Sequence, residues 1–253
     1  MATVADILNF METLAPNALK MEWDNVGLLC GSKNTGVTKI LVALDPFEGV
    51  CREAADIGAQ LIVTHHPLIF RAPTSVTDET SVGRSIMFLC RHGISAINAH
   101  TNLDCAEGGV NDVLAATLGL ENIVPIDALL RMGELSEQPL AQFLAIVKEN
   151  LRCDGLRYVD GGKPVRKVAV GGGSCAGDMM AAIDAGCDTF VTADIKYNQF
   201  WDAHDLGLNL IDAGHFHTEN PVVAVLAEKI AAAFPEVEVK ISETHTDCMK
   251  FFC

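Results

Sequence analysis

The sequence predicts an α/β fold of two pseudo-repeated α/β/α units with mostly parallel sheets, and a metal site in the cleft between them. Three features predict it: a pattern of segments that occurs twice, a regular alternation of strand-like and helix-like stretches, and polar side chains gathered where the strands end.

The repeat begins with Lys39-Ile40-Leu41-Val42-Ala43-Leu44-Asp45, which resembles Lys167-Val168-Ala169-Val170-Gly171-Gly172. Both are short, apolar and rich in β-branched residues, the composition of a buried strand. Helix-like stretches follow at 50–58 and 178–186, and each closes on a glycine, as helix C-termini favour. Second strands come next, Leu61-Ile62-Val63-Thr64 and Thr189-Phe190-Val191-Thr192, with Thr64 and Thr192 separated by 128 residues. Farther on, Asn98 aligns with Asp212 at an offset of 114, so the first copy holds about 14 additional residues. They fall in 67–82, where Pro67, Pro73, Ser75 and Thr77 read as a loop over a site. Each copy then closes with an apolar helix, at 110–118 and 221–234, and a short strand, at 123–124 and 237–239. Pro221 stands where a helix accepts proline, at its first position.

Strands alternating with helices in this way favour parallel pairing with helices on both faces. Residues 3–14 read as an amphipathic helix with Thr3 and Asp6 at capping-box spacing. The stretch 127–162 belongs to neither copy, and 136–150 within it reads as a helix, because Leu140, Phe143, Leu144 and Val147 share one face. The predicted boundaries are therefore 1–126 for the first unit with its N-terminal helix, 127–165 for a helical excursion, and 166–253 for the second unit, whose C-terminal residues are free to return to the first.

Composition narrows the function. The chain has 253 residues, 49% of them hydrophobic and 20% charged, as expected of a globular protein. Its 33 acidic and 18 basic side chains give a net charge of −15, which disfavours nucleic acid and anionic membranes as partners. No basic residue precedes Lys20 and no apolar run approaches a membrane-spanning length, so a cytoplasmic protein with no membrane partner is expected. The nine cysteines show no CxxC spacing, which points to reduced thiols and away from disulfides or a cysteine-ligated zinc site.

Chemistry concentrates at the strand ends, where α/β proteins bind ligands. The first copy offers Thr64-His65-His66-Pro67 and Asn98-Ala99-His100-Thr101-Asn102-Leu103-Asp104. The second offers Thr192-Ala193-Asp194 and Asp212-Ala213-Gly214-His215-Phe216-His217-Thr218-Glu219. Imidazoles and carboxylates at matching places suit a pair of divalent ions: nitrogen is a neutral donor, and carboxylates offset positive charge and can bridge. Three His, one Asp and one Glu are too many for one closed tetrahedral site. This donor set favours zinc, iron or manganese over calcium. Against two ions, the formal charge of the chain would fall to about −11.

The segments Trp23-Asp24-Asn25-Val26-Gly27-Leu28, Thr64-His65-His66-Pro67-Leu68-Ile69-Phe70, Asn98-Ala99-His100-Thr101-Asn102-Leu103-Asp104 and Gly214-His215-Phe216-His217-Thr218-Glu219 together resemble the NIF3 (YbgI-like, DUF34) family, whose members are also known as GTP cyclohydrolase 1 type 2 homologs. The resemblance implies a dinuclear metal centre and a toroidal homohexamer. Carried over by residue, it makes His65, His66, Asp104, His215 and Glu219 the ligands of two divalent ions, with Asp104 between them. One departure lies at Thr192-Ala193-Asp194-Ile195-Lys196-Tyr197-Asn198, where the family commonly has Thr-Gly-Asp and a His four residues after the Asp.

Other residues have two readings each. His100 shares a loop with Asp104 and is a candidate catalytic proton carrier, or a structural hydrogen-bonding group. Asp194, Lys196 and Tyr197 are candidate substrate contacts, and His217 is expected at solvent or a subunit interface. The Gly171-Gly172-Gly173-Ser174 turn would either cradle a phosphate on its N–H groups or make a tight strand-to-helix turn. Three functions stay open: a metal-dependent hydrolase acting on a nucleotide or related small molecule, a metal-handling or metallochaperone protein, and a ring scaffold stabilised by metal.

Overall fold

The computed structural model describes residues 1–252 as a mixed α/β protein with two large sheets. In chain order its elements are β1 (Ala2–Thr3), α1 (Val4–Leu14), β2 (Gly27–Cys30), β3 (Gly36–Val37), β4 (Lys39–Ala43), α2 (Glu48–Asp56), β5 (Leu61–Thr64), α3 (Ser81–His92), β6 (Ser95–Asn98) and α4 (Thr101–Cys105). There follow α5 (Val110–Thr117), β7 (Glu121–Pro125), β8 (Arg131–Gln138), α6 (Leu140–Asn150), β9 (Arg157–Val159), β10 (Val165–Val170), α7 (Met179–Asp184) and β11 (Thr189–Thr192). The chain ends with α8 (Tyr197–Leu206), β12 (Asn209–Asp212), α9 (His215–Glu219), α10 (Pro221–Ala233) and β13 (Glu238–Ile241). Two compact units divide these elements: among the described residues one comprises 1–107 and 223–246, the other 108–222 and 247–252.

In the first unit a five-stranded sheet runs in the order β13-β4-β5-β6-β2. The first three pairings are parallel and β2 joins β6 antiparallel. Every residue of β5 and β6 is buried, as continuous apolar runs in parallel sheets require. One face packs Leu41, Ala43, Ile62 and Ala96 against Val50 and Ala54 of α2 and Leu89 of α3. The N-terminal helix starts at Thr3 with the expected capping box: Thr3 N–H donates to Asp6 Oδ2 at 2.8 Å and Asp6 N–H to Thr3 Oγ1 at 3.3 Å. Residues 65–80 carry no helix or strand and form the expected loop.

The second unit has six strands in the order β7-β8-β10-β11-β12-β9. Only β10-β11 and β11-β12 are parallel, so this sheet is mixed where sequence suggested mostly parallel strands. The difference comes from the stretch read as a helical excursion. It does hold α6, but it also supplies β8 and β9, which flank the parallel trio. The expected helix over 136–150 begins later, at Leu140, because Pro139 occupies the N-cap and Gln138 pairs with Val165 in the sheet. In the structure α5 and β7 pack with the second unit, and β13 lies at the edge of the first sheet.

Alternation along β10 fills both faces of the second sheet. Val168 and Val170 pack with Phe143 and Val147 of α6, whereas Ala169 packs with Met179 and Ala182 of α7. Phe143 is fully buried. Phe143→Ala is expected to destabilise the protein by about 3–5 kcal/mol, read as a lowered midpoint in urea unfolding with the m-value unchanged.

Candidate metal centre

In both sheets, parallel strands end at loops that carry chemistry. In the first unit β5 stops at Thr64, and the ladder continues one step as His66 N–H donates to the Leu44 carbonyl. Thr64 Oγ1 donates to the His66 carbonyl at 2.7 Å and so fixes the turn that presents His65 and His66 together. β6 ends at Asn98, and His100 precedes the single-turn helix α4, which contains Asp104. The ligand atoms of His65, His66 and His100 lie within 4.8 Å of one another. His65 Nε2 is 3.5 Å from Asp104 Oδ1, and both residues are buried.

The tautomers of these rings follow from their partners. His65 Nδ1 is 3.0 Å from the Ala99 carbonyl, which can only accept, so Nδ1 carries the hydrogen. His66 Nδ1 lies 2.7 Å from Asp45 Oδ1, and His100 Nδ1 lies 2.9 Å from Asp24 Oδ1. In the neutral ring each arrangement leaves the lone pair on Nε2, the atom a metal would take. Asp24 is itself held, because Thr101 N–H and Thr101 Oγ1 donate to its other oxygen at 3.0 and 2.5 Å. Burial works to raise the Asp24 carboxyl, but hydrogen bonds from His100 and Thr101 outweigh it and hold the group below its ordinary value.

In the second unit, β11 ends at Thr192 and β12 at Asp212. Gly214 adopts a left-handed φ of 84° and turns the chain into α9, where His215 and Glu219 share a face at i and i+4. His215 Nε2 is 3.1 Å from Glu219 Oε2, while His215 Nδ1 meets Asp194 Oδ2 at 2.7 Å. The pattern of the first unit recurs: an oxygen holds Nδ1 and Nε2 faces a carboxylate. Asp194 stands at φ 54°, an uncommon left-handed conformation for a residue with a side chain, and its carboxylate orients His215.

The glycine turn after β10 is packed onto this pair. At Gly173, with φ 63°, a Cβ would lie 2.2 Å from Glu219 Oε1 and 3.0 Å from His215 Nε2. Gly173 N–H donates to Thr218 Oγ1 and Gly172 N–H to Asn111 Oδ1. These N–H groups are engaged within the protein, so the turn serves as a tight connection that lets Glu219 approach, and the phosphate-cradle reading is set aside.

Among the candidate substrate residues, Asp194 belongs to the His215 pair. Lys196 and Tyr197 differ: they open α8 with exposed side chains, as does Asn198. His217 also departs from expectation. It lies largely buried between the Leu151 carbonyl, 3.1 Å from Nδ1, and Asp247 Oδ2, 3.3 Å from Nε2.

Two residues in the first unit had no place in the sequence reading. Asp45, just beyond β4, accepts from His66 through one oxygen and meets His245 Nε2 through the other at 2.9 Å. Burial pushes its carboxyl up, yet the bonds from His245 and His66 carry it well below the carboxylate range. A signal for Asp45 existed, since it follows β4 by two residues, as His66 follows β5. His245 gave none, being 200 residues away. It reaches Asp45 because Glu53 anchors the chain after β13, accepting from Glu243 N–H at 2.8 Å and Thr244 Oγ1 at 2.6 Å.

The donor chemistry fits metal: buried imidazoles and carboxylates form groups compatible with a metal ion, and no cysteine belongs to them among the described residues. Nor is any helix among those residues long and apolar enough to cross a membrane.

Fold and site together describe an α/β protein whose strand ends carry carboxylate-oriented histidines. The Duf34/NIF3 (NGG1p interacting factor 3) family profile matches residues 2–248, and the chain belongs to that family. Proteins called "GTP cyclohydrolase 1 type 2 homolog" are similar over nearly full length. The one from Clostridium perfringens is 37% identical, covering 97% of this chain and 98% of that one; the one from Clostridium acetobutylicum is 33% identical, covering 98% of each. Among solved structures, a Bacillus cereus protein related to NIF3 superposes with a TM-score of 0.95 at 26% identity, covering 100% and 99% of the two chains. Staphylococcus aureus protein SA1388 gives 0.93 at 29% identity, covering 99% of each.

Glu53 allows a test by pH. Burial tends to raise its carboxyl, but hydrogen bonds from Ser242, Thr244 and Glu243 leave it below the ordinary value. A carboxyl lowered by folding stabilises the protein above its unfolded pKa of about 4.3, and that contribution is lost as pH falls toward the folded value. Urea unfolding should therefore show wild type more stable than Glu53→Gln at pH 7, with the gap narrowing between pH 5 and pH 3. A gap independent of pH would contradict this.

Proposed function

We propose that His65, His66, Asp104, His215 and Glu219 hold two divalent ions, zinc, iron or manganese, and that the protein is a metal-dependent hydrolase acting on a nucleotide or related small molecule. The observation that carries the reading is the shared state of the three imidazoles. Each has Nδ1 tied to a carbonyl or carboxylate oxygen, so Nε2 is set as the donor before any ion arrives. The name of the Clostridium relatives, GTP cyclohydrolase 1 type 2 homolog, supports a guanine nucleotide as the substrate class.

When bound, such a pair of ions supplies Lewis acidity and lowers the pKa of water toward neutrality. The protein's part is positioning and proton movement. Asp45 and Asp194 orient His66 and His215, and the Ala99 carbonyl orients His65. Glu219 and Asp104 provide the negative charge that two cations need. His100, with Nδ1 held by Asp24, presents Nε2 beside His65 and His66 and is the group proposed to give or take the proton. Asp194 therefore acts through His215, and contact of Lys196 and Tyr197 with substrate is proposed only beyond the ligand groups. The cysteine spacing of the sequence supports a cytoplasmic setting. A toroidal homohexamer is proposed from the family resemblance.

Protein purified without added metal is expected to contain about two ions per chain by elemental analysis, and His65→Ala or Glu219→Gln fewer. Wild type should turn over a member of a nucleotide and phosphoester panel, and His65→Ala should lose that turnover by about 100-fold or more while keeping its far-UV circular dichroism. Fewer than two ions in the wild type would overturn the dinuclear centre. Full occupancy with no turnover would overturn the hydrolase.

A further inference from the structure

Beside the histidines of the first unit, two aromatic side chains stand in solvent. Trp23 is 63% exposed and Phe70 47%. Their rings meet edge to face with centroids 5.7 Å apart, and each also meets His100, at 6.3 and 6.1 Å. His100 in turn lies 5.2 Å from His65 and 5.5 Å from His66, centroid to centroid. The two aromatics thus continue the histidine group outward as a rim.

Their placement is built. Asp24, next to Trp23, is buried and takes bonds from His100 and Thr101. Asn25 Nδ2 donates to the Ile69 carbonyl at 2.6 Å, which ties the Trp23 segment to the one that carries Phe70. Asn98 Nδ2 donates to the Asn25 carbonyl at 3.1 Å. A buried polar network therefore holds two large apolar rings where they contact water, and the hydrophobic effect alone would not leave them there.

We propose that Trp23 and Phe70 form a stacking face for a planar heteroaromatic ring, the purine base of a nucleotide, and so determine specificity at the candidate centre; this deepens the metal-dependent reading above and rests on it. An indole face matches a fused two-ring base in shape, and stacking tolerates an exposed site because the ring edges stay in water. A base seated there would have His100 and the ligand imidazoles at its edge, so its polar substituents or phosphates would meet the groups that do chemistry. A second copy of the chain suits the rim less well. Two partly exposed aromatic side chains offer far less than the roughly 800 Å² per partner that a stable interface buries.

The chain has two tryptophans, Trp23 and Trp201, so Trp201→Phe leaves Trp23 as the sole indole reporter. In that protein GTP should quench emission saturably, and inorganic tripolyphosphate, which has no ring, should not. By calorimetry, Trp23→Leu and Phe70→Leu should each weaken GTP binding about tenfold while leaving tripolyphosphate binding unchanged, and Trp23→Phe should stay within about threefold of wild type. Phe70→Leu keeps the test decisive if Trp23→Leu fails to fold. Absence of GTP binding, equal quenching by tripolyphosphate, or unaltered GTP affinity in both leucine variants would overturn the proposal. So would a change of oligomeric mass in those variants with GTP affinity intact, which would assign the rim to a second copy. GTP that binds through Trp23 but is never hydrolysed would overturn the hydrolase and leave the stacking face standing.

Discussion

The rest of the structure depends on one interaction: an oxygen that can only accept, placed against Nδ1 of a histidine at a strand end. The Ala99 carbonyl does this for His65, Asp45 for His66 and Asp194 for His215. A neutral imidazole has one donor and one acceptor nitrogen, so fixing one determines the other. Nearby features serve this requirement. Asp194 accepts a left-handed backbone to reach His215, and Gly173 omits the Cβ that would collide with Glu219. Asp24 gives His100 the same hold and simultaneously anchors the start of α4.

The fold makes such fixing economical. A parallel strand ends with its backbone still held by its neighbour, and the bonds from His66 to Leu44, Ala99 to Thr64 and Ala213 to Thr192 extend that hold into the loops. Side chains that leave there inherit the rigidity of a sheet buried on both faces, as the packing around Val168, Ala169 and Val170 shows in the second unit.

Much of this was legible in the sequence because it is local. Apolar runs such as Leu61-Ile62-Val63-Thr64 mark strands by composition, and the residues immediately after them carry the ligand types. The capping box at Thr3 and Asp6 and the start of α10 at Pro221 are likewise set by neighbours in sequence. What escaped is set by distant partners. The strands β8 and β9 have few buried residues, so periodicity gave them no signature, and only pairing with β10 and β12 makes them strands. His245 and Asp45 meet across 200 residues through the anchor at Glu53, and His217 meets Asp247 of the C-terminal segment. Such contacts depend on the folded path of the chain and leave no spacing to read.

Nitrogen-15 NMR of the histidine side chains tests the central interaction most directly, through long-range couplings that report which ring nitrogen bears hydrogen. In metal-free protein Nδ1 of His65, His66 and His215 should each bear hydrogen, and on addition of cadmium-113 each ring should keep that hydrogen and show metal coupling at Nε2. An Nδ1 without hydrogen, or metal coupling at Nδ1, in any of the three would contradict the orientation of these ligands by Ala99, Asp45 and Asp194.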